Sequence, residues 1–150
     1  MSTVELFKVK KIQGLRYEGR RRGLAFLVGV IDKNIDAKRV YEALGKKKQQ
    51  DLLNRFDYWL DEGVHDNYFH GWPNDLRHKN CFSFRWREGK IRHRFYGFLY
   101  KPRDYLVCIL VSHDGKTQEH TDQSHLDRAE ELRANLDVIR AIKKEFPQLR

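Results

Sequence analysis

The stretch from Phe82 to Val111 reads FSFRWREGKIRHRFYGFLYKPRDYLVCILV. Phe82, Phe84 and Trp86 alternate with Ser83, Arg85 and Arg87, the period of a β-strand with one face buried. Glu88-Gly89 is a two-residue hairpin signal. The chain then returns from Lys90 to Tyr100, with Ile91, His93, Phe95, Gly97 and Leu99 on one face and Arg92, Arg94, Tyr96, Phe98 and Tyr100 on the other. Pro102 to Asp104 makes a second turn. Tyr105 to Val111 is almost continuously apolar, as a central strand covered on both sides requires. Three antiparallel strands are therefore expected here as a meander.

Working outward, Ser112 to Thr121 is polar, holds Gly115 and reads as a loop. Thr121, Asp122 or Ser124 can cap one long C-terminal helix, whose apolar stripe is Leu126, Ala129, Leu132, Leu136, Ile139 and Ile142, with Pro147 ending it. On the other side, Val64 to Asn80 reads as a loop. Leu52, Leu53, Phe56, Trp59 and Leu60 form a helical stripe stopped by Gly63. An earlier helix carries Ala37, Val40, Tyr41 and Leu44, with Asp36 as its cap and Gly45 as its breaker. Lys46, Lys47 and Lys48 read as a solvated stretch between the two. Val4 to Ile12 alternates like a strand, Gly14 to Gly23 is a basic loop, and Leu24 to Ile31 reads as a strand or a short helix. This order predicts a single α+β domain over residues 1–150: an antiparallel sheet built from the meander plus an N-terminal strand or hairpin. Two helices before the meander and one long C-terminal helix pack it, and residues 1–35 form a basic, hairpin-like extension.

The 150 residues are 40% hydrophobic and 13% aromatic, enough for a packed core, and carry a formal net charge of +9. That excess points to an anionic partner. The longest apolar run, Leu24 to Ile31, falls short of the roughly 18 residues that span a bilayer. The first eleven residues carry charges where a signal peptide is apolar. A soluble cytoplasmic protein that does not engage a membrane is expected. Cys81 and Cys108, the only two cysteines, sit in strand-like runs and read as reduced core residues.

Arg85 and Arg87 share a strand face, as do Arg92 and Arg94, and a hairpin brings such pairs within reach of each other. Four clustered guanidiniums repel one another unless an anion joins them, and their planar forks match phosphate. Tyr96 and Tyr100 continue the Arg92 and Arg94 face, where aromatic rings can stack on unpaired bases. Arg20, Arg21 and Arg22 of the basic loop are assigned to the same nucleic-acid contact. His93, His113 and His120 supply groups that titrate near neutrality and could move protons during RNA cleavage, with Lys116 as a cation for the crowded phosphorane. His65, His70 and His78, with Asp66 and Asp75, lack the spacing that fixes a metal, so neither metal nor cofactor is assigned.

The segment Asn80 to Asn135 resembles the phage-derived HigB-like toxins of the RelE/ParE superfamily. The resemblance rests on Phe82-Ser83-Phe84-Arg85, on Arg92 to Tyr100, on Cys108-Ile109-Leu110-Val111 and on Lys116 with the spaced Thr121, Leu126 and Ala129. The stripe from Leu52 to Leu60, ending at Gly63, also looks like the family's helix before the sheet. The loop departs from the family pattern: it holds fewer lysines, His120 stands for a lysine, Asp122 for a proline and His125 for an acidic residue. The resemblance implies helices against an antiparallel sheet, ribosome-dependent endonucleolytic cleavage of mRNA without a metal, and an acidic antitoxin as partner. Carried over residue by residue, the catalytic set is Arg85, Arg94 and Lys116, with Tyr96 as a further candidate. A non-catalytic RNA- or protein-binding module on the same fold is the alternative.

Overall fold

The computed structural model describes residues 6–17, 21–30, 32, 34–63, 68–116 and 123–149. It has the α+β composition that the pattern predicts. Strands β1 (Phe7–Lys11), β2 (Arg22–Gly29), β3 (Phe69–Gly71), β4 (Cys81–Glu88), β5 (Ile91–Tyr100) and β6 (Leu106–Lys116) form one sheet in the order β1-β2-β6-β5-β4-β3. Leu24 to Ile31 resolves to strand, because its β-branched and apolar run lies inside β2 between two other strands.

The sheet is mixed rather than antiparallel. The meander β4-β5-β6 and the β1-β2 hairpin are antiparallel, but β2 runs parallel to β6. The two helices α1 (Ala37–Ala43) and α2 (Lys46–Glu62) make the crossover from β2 toward the meander. They cover one face, where Leu52, Phe56, Trp59 and Leu60 pack on Leu24, Phe26, Phe82, Phe84, Phe95 and Leu110. The other face is covered by helices α3 (Gln123–Ala134) and α4 (Leu136–Glu145), through Leu126, Ala129, Leu132, Val138 and Ile142 on Ala25, Leu27, Tyr96, Phe98, Val107 and Ile109. Cys81 and Cys108 are buried free thiols, and desolvation pushes both upward, Cys81 to about 12.

Several local expectations are corrected. The single C-terminal helix is two, because the Asn135 side chain accepts bonds from the Asp137 and Val138 amides (2.8 and 3.3 Å) and starts α4 afresh. Lys46, Lys47 and Lys48 are not a linker but the first turn of α2. Asp36 precedes α1 without capping it; its Oδ1 instead accepts from the His113 amide at 3.1 Å. The loop before β4 contains the short strand β3. The hairpin turn is Gly89-Lys90, one residue later than the pattern gives, since Glu88 pairs with Ile91 and Gly89 adopts φ 59°. The proposed caps Thr121 and Asp122 lie outside the described residues, and Ser124 is inside α3.

Strand β6 continues to Lys116 through a segment the sequence reads as loop. It does so by a bulge: Tyr96 pairs with Ser112 but Gly97 with Leu110, leaving Val111 over. The extra residue reverses the alternation beyond it. Ser112 and Asp114 turn to the α3 side, and His113 turns to the α1–α2 side.

Candidate nucleic-acid interface

The β4–β5 register sets Arg85 opposite Arg94 and Arg87 opposite Arg92. Strand alternation from Tyr96 and Phe98, which lie in the α3–α4 core, puts all four arginines on that side of the sheet. They lie at the hairpin end, with Arg94 buried and Arg87 exposed. With Arg55, Tyr68, Trp86 and His93 they line a cavity of ≈ 440 Å³. Five of these eight residues are arginines and none is a carboxylate.

Arg85 is the residue most unusually placed. Its Nε is buried with no hydrogen-bond partner among the described residues. Burial, and then the neighbouring Arg94 charge, draw its guanidinium below the ordinary range. A buried donor left unsatisfied costs about 1–3 kcal/mol, more when charged. The Trp86 indole Nε1, in a residue only 4% exposed, is a second such donor. An anion entering the cleft would meet the charge of five arginines and no carboxylate.

Arg94 is spent differently. It is 5% exposed, and its Nη1 donates to the Tyr96 hydroxyl at 3.3 Å. That hydroxyl in turn donates to Asp114 Oδ2 at 2.9 Å. Burial pushes the Tyr96 phenol up to about 12, so it stays protonated near neutral pH. The Tyr96 ring stacks on His125 (4.6 Å between centroids, 15° between planes), and His125 Nδ1 shares a 2.6 Å hydrogen bond with Ser112 Oγ. Arg94 lines the cleft, and Tyr96 is buried behind it, outside the lining.

The histidines occupy the opposite face. His93 Nδ1 and His113 Nε2 lie 2.8 Å apart, and His93 stacks flat on Trp86 at 4.9 Å and 11°. Desolvation first, and the His93 charge second, hold His113 below the ordinary histidine range. His93 also lines the arginine cleft, whereas His113 reaches it only through His93.

The remaining candidates separate. Lys116 stands opposite Arg92 in the β5–β6 register. Arg20, His120, His65 and Asp66 lie outside the described residues. Arg22 caps the end of α2, with Nη1 donating to Trp59 O at 2.8 Å and its guanidinium 5.2 Å from the Trp59 ring. Arg21 is exposed beside it, at the Leu106 end of β6. Both are therefore removed from the cleft, which is at the Lys116 end. Tyr100 shares the arginine face but packs on the α3–α4 core, eight residues along β5 from Arg92 and so about 26 Å away. The sequence reading missed Arg55, Tyr68, Asp114, Ser112 and His125. Arg55 borders the buried stripe of α2 and was legible there; Tyr68 sits in a loop with no periodicity to mark it.

Compared with known protein families, with characterised proteins and with solved structures, the chain matches none.

Proposed function

We propose that the chain is a RelE/HigB-like toxin: an endoribonuclease that cleaves mRNA at the ribosome using side chains alone, and that is neutralised by an acidic antitoxin. The observation carrying this reading is Arg85, a half-buried arginine whose buried Nε has no hydrogen-bond partner among the described residues, in a cleft of five arginines. Arg85, Arg87 and Arg92 take the phosphate, for which guanidinium forks are shaped. The 2′-oxygen attacks phosphorus, the bond to the 5′-oxygen breaks, and a 2′,3′-cyclic phosphate and a 5′-hydroxyl result. His93, in the cleft wall and hydrogen-bonded to His113, takes the 2′ proton, and solvent water gives a proton to the departing 5′-oxygen. Lys116, opposite Arg92 in the strand register, is assigned the charge that develops on the phosphorane.

One observation favours a second reading, a non-catalytic RNA- or protein-binding module. Arg94 and Tyr96, both assigned to catalysis, are buried in a network with Asp114. An Arg85→Ala variant separates the two. In an enzyme it is expected to slow cleavage of a translated mRNA by about 10²–10³, as loss of a transition-state donor does. In a binder the wild type leaves mRNA intact, and the variant only weakens affinity modestly. Wild-type protein that neither cuts translated mRNA nor arrests growth when induced rules out the toxin.

A further inference from the structure

We propose that the outer edge of β1, walled by α4, docks an extended acidic segment of the protein partner as a seventh strand of the sheet, and so holds that partner clear of the arginine cleft. This rests on the reading above, which requires an acidic protein partner, and adds the place where it binds.

The topology supplies the edge. Strand β1 ends the sheet, with β2 on one side and no strand on the other among the described residues. The Leu6 carbonyl accepts from the Val30 amide at 3.1 Å, so Leu6, Lys8 and Lys10 turn their backbone groups toward β2. Phe7, Val9 and Lys11 turn theirs outward, and the Lys11 amide donates on that side to Glu145 Oε1 at 3.5 Å. With the Lys11 ammonium 4.9 Å from the Phe146 ring centre, the end of α4 closes the edge there. The two amides and two carbonyls of Phe7 and Val9 have no backbone partner on the outer side among the described residues. They border a groove of ≈ 560 Å³ whose other wall is Asp137, Arg140, Ala141, Lys144 and Glu145 of α4. Edge groups left in this state are a template for an added strand.

Charge names the occupant. Val9 lies in the α3–α4 core, so Lys8 and Lys10 project from the opposite face, both exposed and neither with an ion-pair partner among the described residues. Arg140 and Lys144 stand one helical turn apart on the α4 wall. An added strand therefore runs between cations on both of its faces. The groove's two carboxylates are engaged: Asp137 pairs with Arg140 at 3.1 Å, and Glu145 holds the Lys11 amide. A second copy of the chain does not fit. Pairing β1 with itself antiparallel about Lys8, Val9 or Lys10 sets lysine opposite lysine, which destabilises. A strand carrying Asp or Glu gains where the second copy loses. The seat also lies four strand spacings from β4, about 19 Å, so filling it leaves the arginine cleft open.

The probe is a peptide of about ten residues alternating glutamate and valine, with lysine in place of glutamate as its control. Amide hydrogen exchange followed by NMR should find Phe7 and Val9 faster than the ladder amides of Lys8 and Lys10 in the free protein. The acidic peptide should slow both about tenfold or more, and the lysine control should not. The double variant Lys8→Glu/Lys10→Glu, made at exposed positions, should weaken the peptide about 5- to 100-fold, while Arg85→Ala stays within about twofold. Single-stranded RNA should keep its affinity within about threefold when the peptide is bound at physiological salt, where the screening length is about 8 Å. The seat is refuted if Phe7 and Val9 are already protected in the free protein, or if the peptide leaves them unprotected. It is equally refuted if Arg85→Ala loses the peptide as the lysine variant does, or if the peptide displaces the RNA. Toxin and seat fail separately: wild type that cuts no translated mRNA refutes the first, and unprotected β1 amides refute the second.

Discussion

A single residue, Val111, decides which side chains meet. Simple alternation from Val107 and Ile109 would send His113 to the arginine face and Asp114 away from it. The bulge at Val111 does the reverse, setting Asp114 opposite Arg94 and pairing His113 with His93. The arginine pairs were legible because β4 and β5 alternate without interruption. The bulge was not, since nothing in the composition of Ser112 to Lys116 distinguishes a strand end from a loop. A second residue, His78, sits 2% exposed between two carboxylates, Asp75 at 2.9 Å and Asp127 at 2.7 Å. It ties the segment before β4 to α3. The bond to Asp127 leads in raising its pKa, and the bond to His78 leads in lowering that of Asp75. The His78 contribution to stability is therefore complete below the unfolded histidine value of about 6.5 and is lost as pH rises through the raised folded value. The Asp75 contribution is present above about 3.9 and is lost on acidification. His113, whose pKa is depressed, acts in the opposite sense to His78, so the difference between two proteins is the useful quantity. Thermal melts of wild type and His78→Gln should differ most between about pH 4 and 6.5 and converge as pH rises. Parallel curves across that range would exclude the clip.

At the scale of elements, the β5–β6 pair holds the cleft in register, and Gly97 is its tightest point. A methyl group there would be driven into the Ile109 carbonyl oxygen and the Leu110 backbone beside the bulge. Backbone cannot rotate away as a side chain can. Gly97→Ala should cost about 3 kcal/mol, at the upper end of overpacking effects, measured by urea unfolding with an unchanged slope. A loss below about 0.5 kcal/mol would mean that the strands do not approach as described. The α2 stripe was legible from spacing, since Leu52, Phe56, Trp59 and Leu60 are all buried, but the C-terminal stripe was legible only in part: Leu126, Ala129, Leu132 and Ile142 are buried, whereas Leu136 is 69% exposed and Val138 takes the buried place. The break at Asn135 was not, because the apolar spacing passes through it undisturbed. Only the side chain's bonds to the next turn reveal a cap.

For the whole molecule, no helix among the described residues is long and apolar enough to cross a membrane. Of the 30 lysines and arginines, five arginines line one cleft that no carboxylate lines, while Arg22 at the far end of the sheet serves α2. Net charge alone could not show that division, because it depends on which strands pair and on where the helices stop covering them. The +9 total can steer any polyanion, so affinity by itself says little about the cleft. The salt dependence of single-stranded RNA binding does, since each neutralised phosphate contributes about 0.7 to the slope of log affinity against log salt. The decisive measurement compares that slope in wild type, Arg85→Ala and Arg21→Ala. The expected result is a slope shallower by about 0.7 for Arg85→Ala and unchanged for the distant Arg21→Ala. Equal slopes for wild type and Arg85→Ala, or an equal loss at Arg21, would contradict a phosphate site in the arginine cleft.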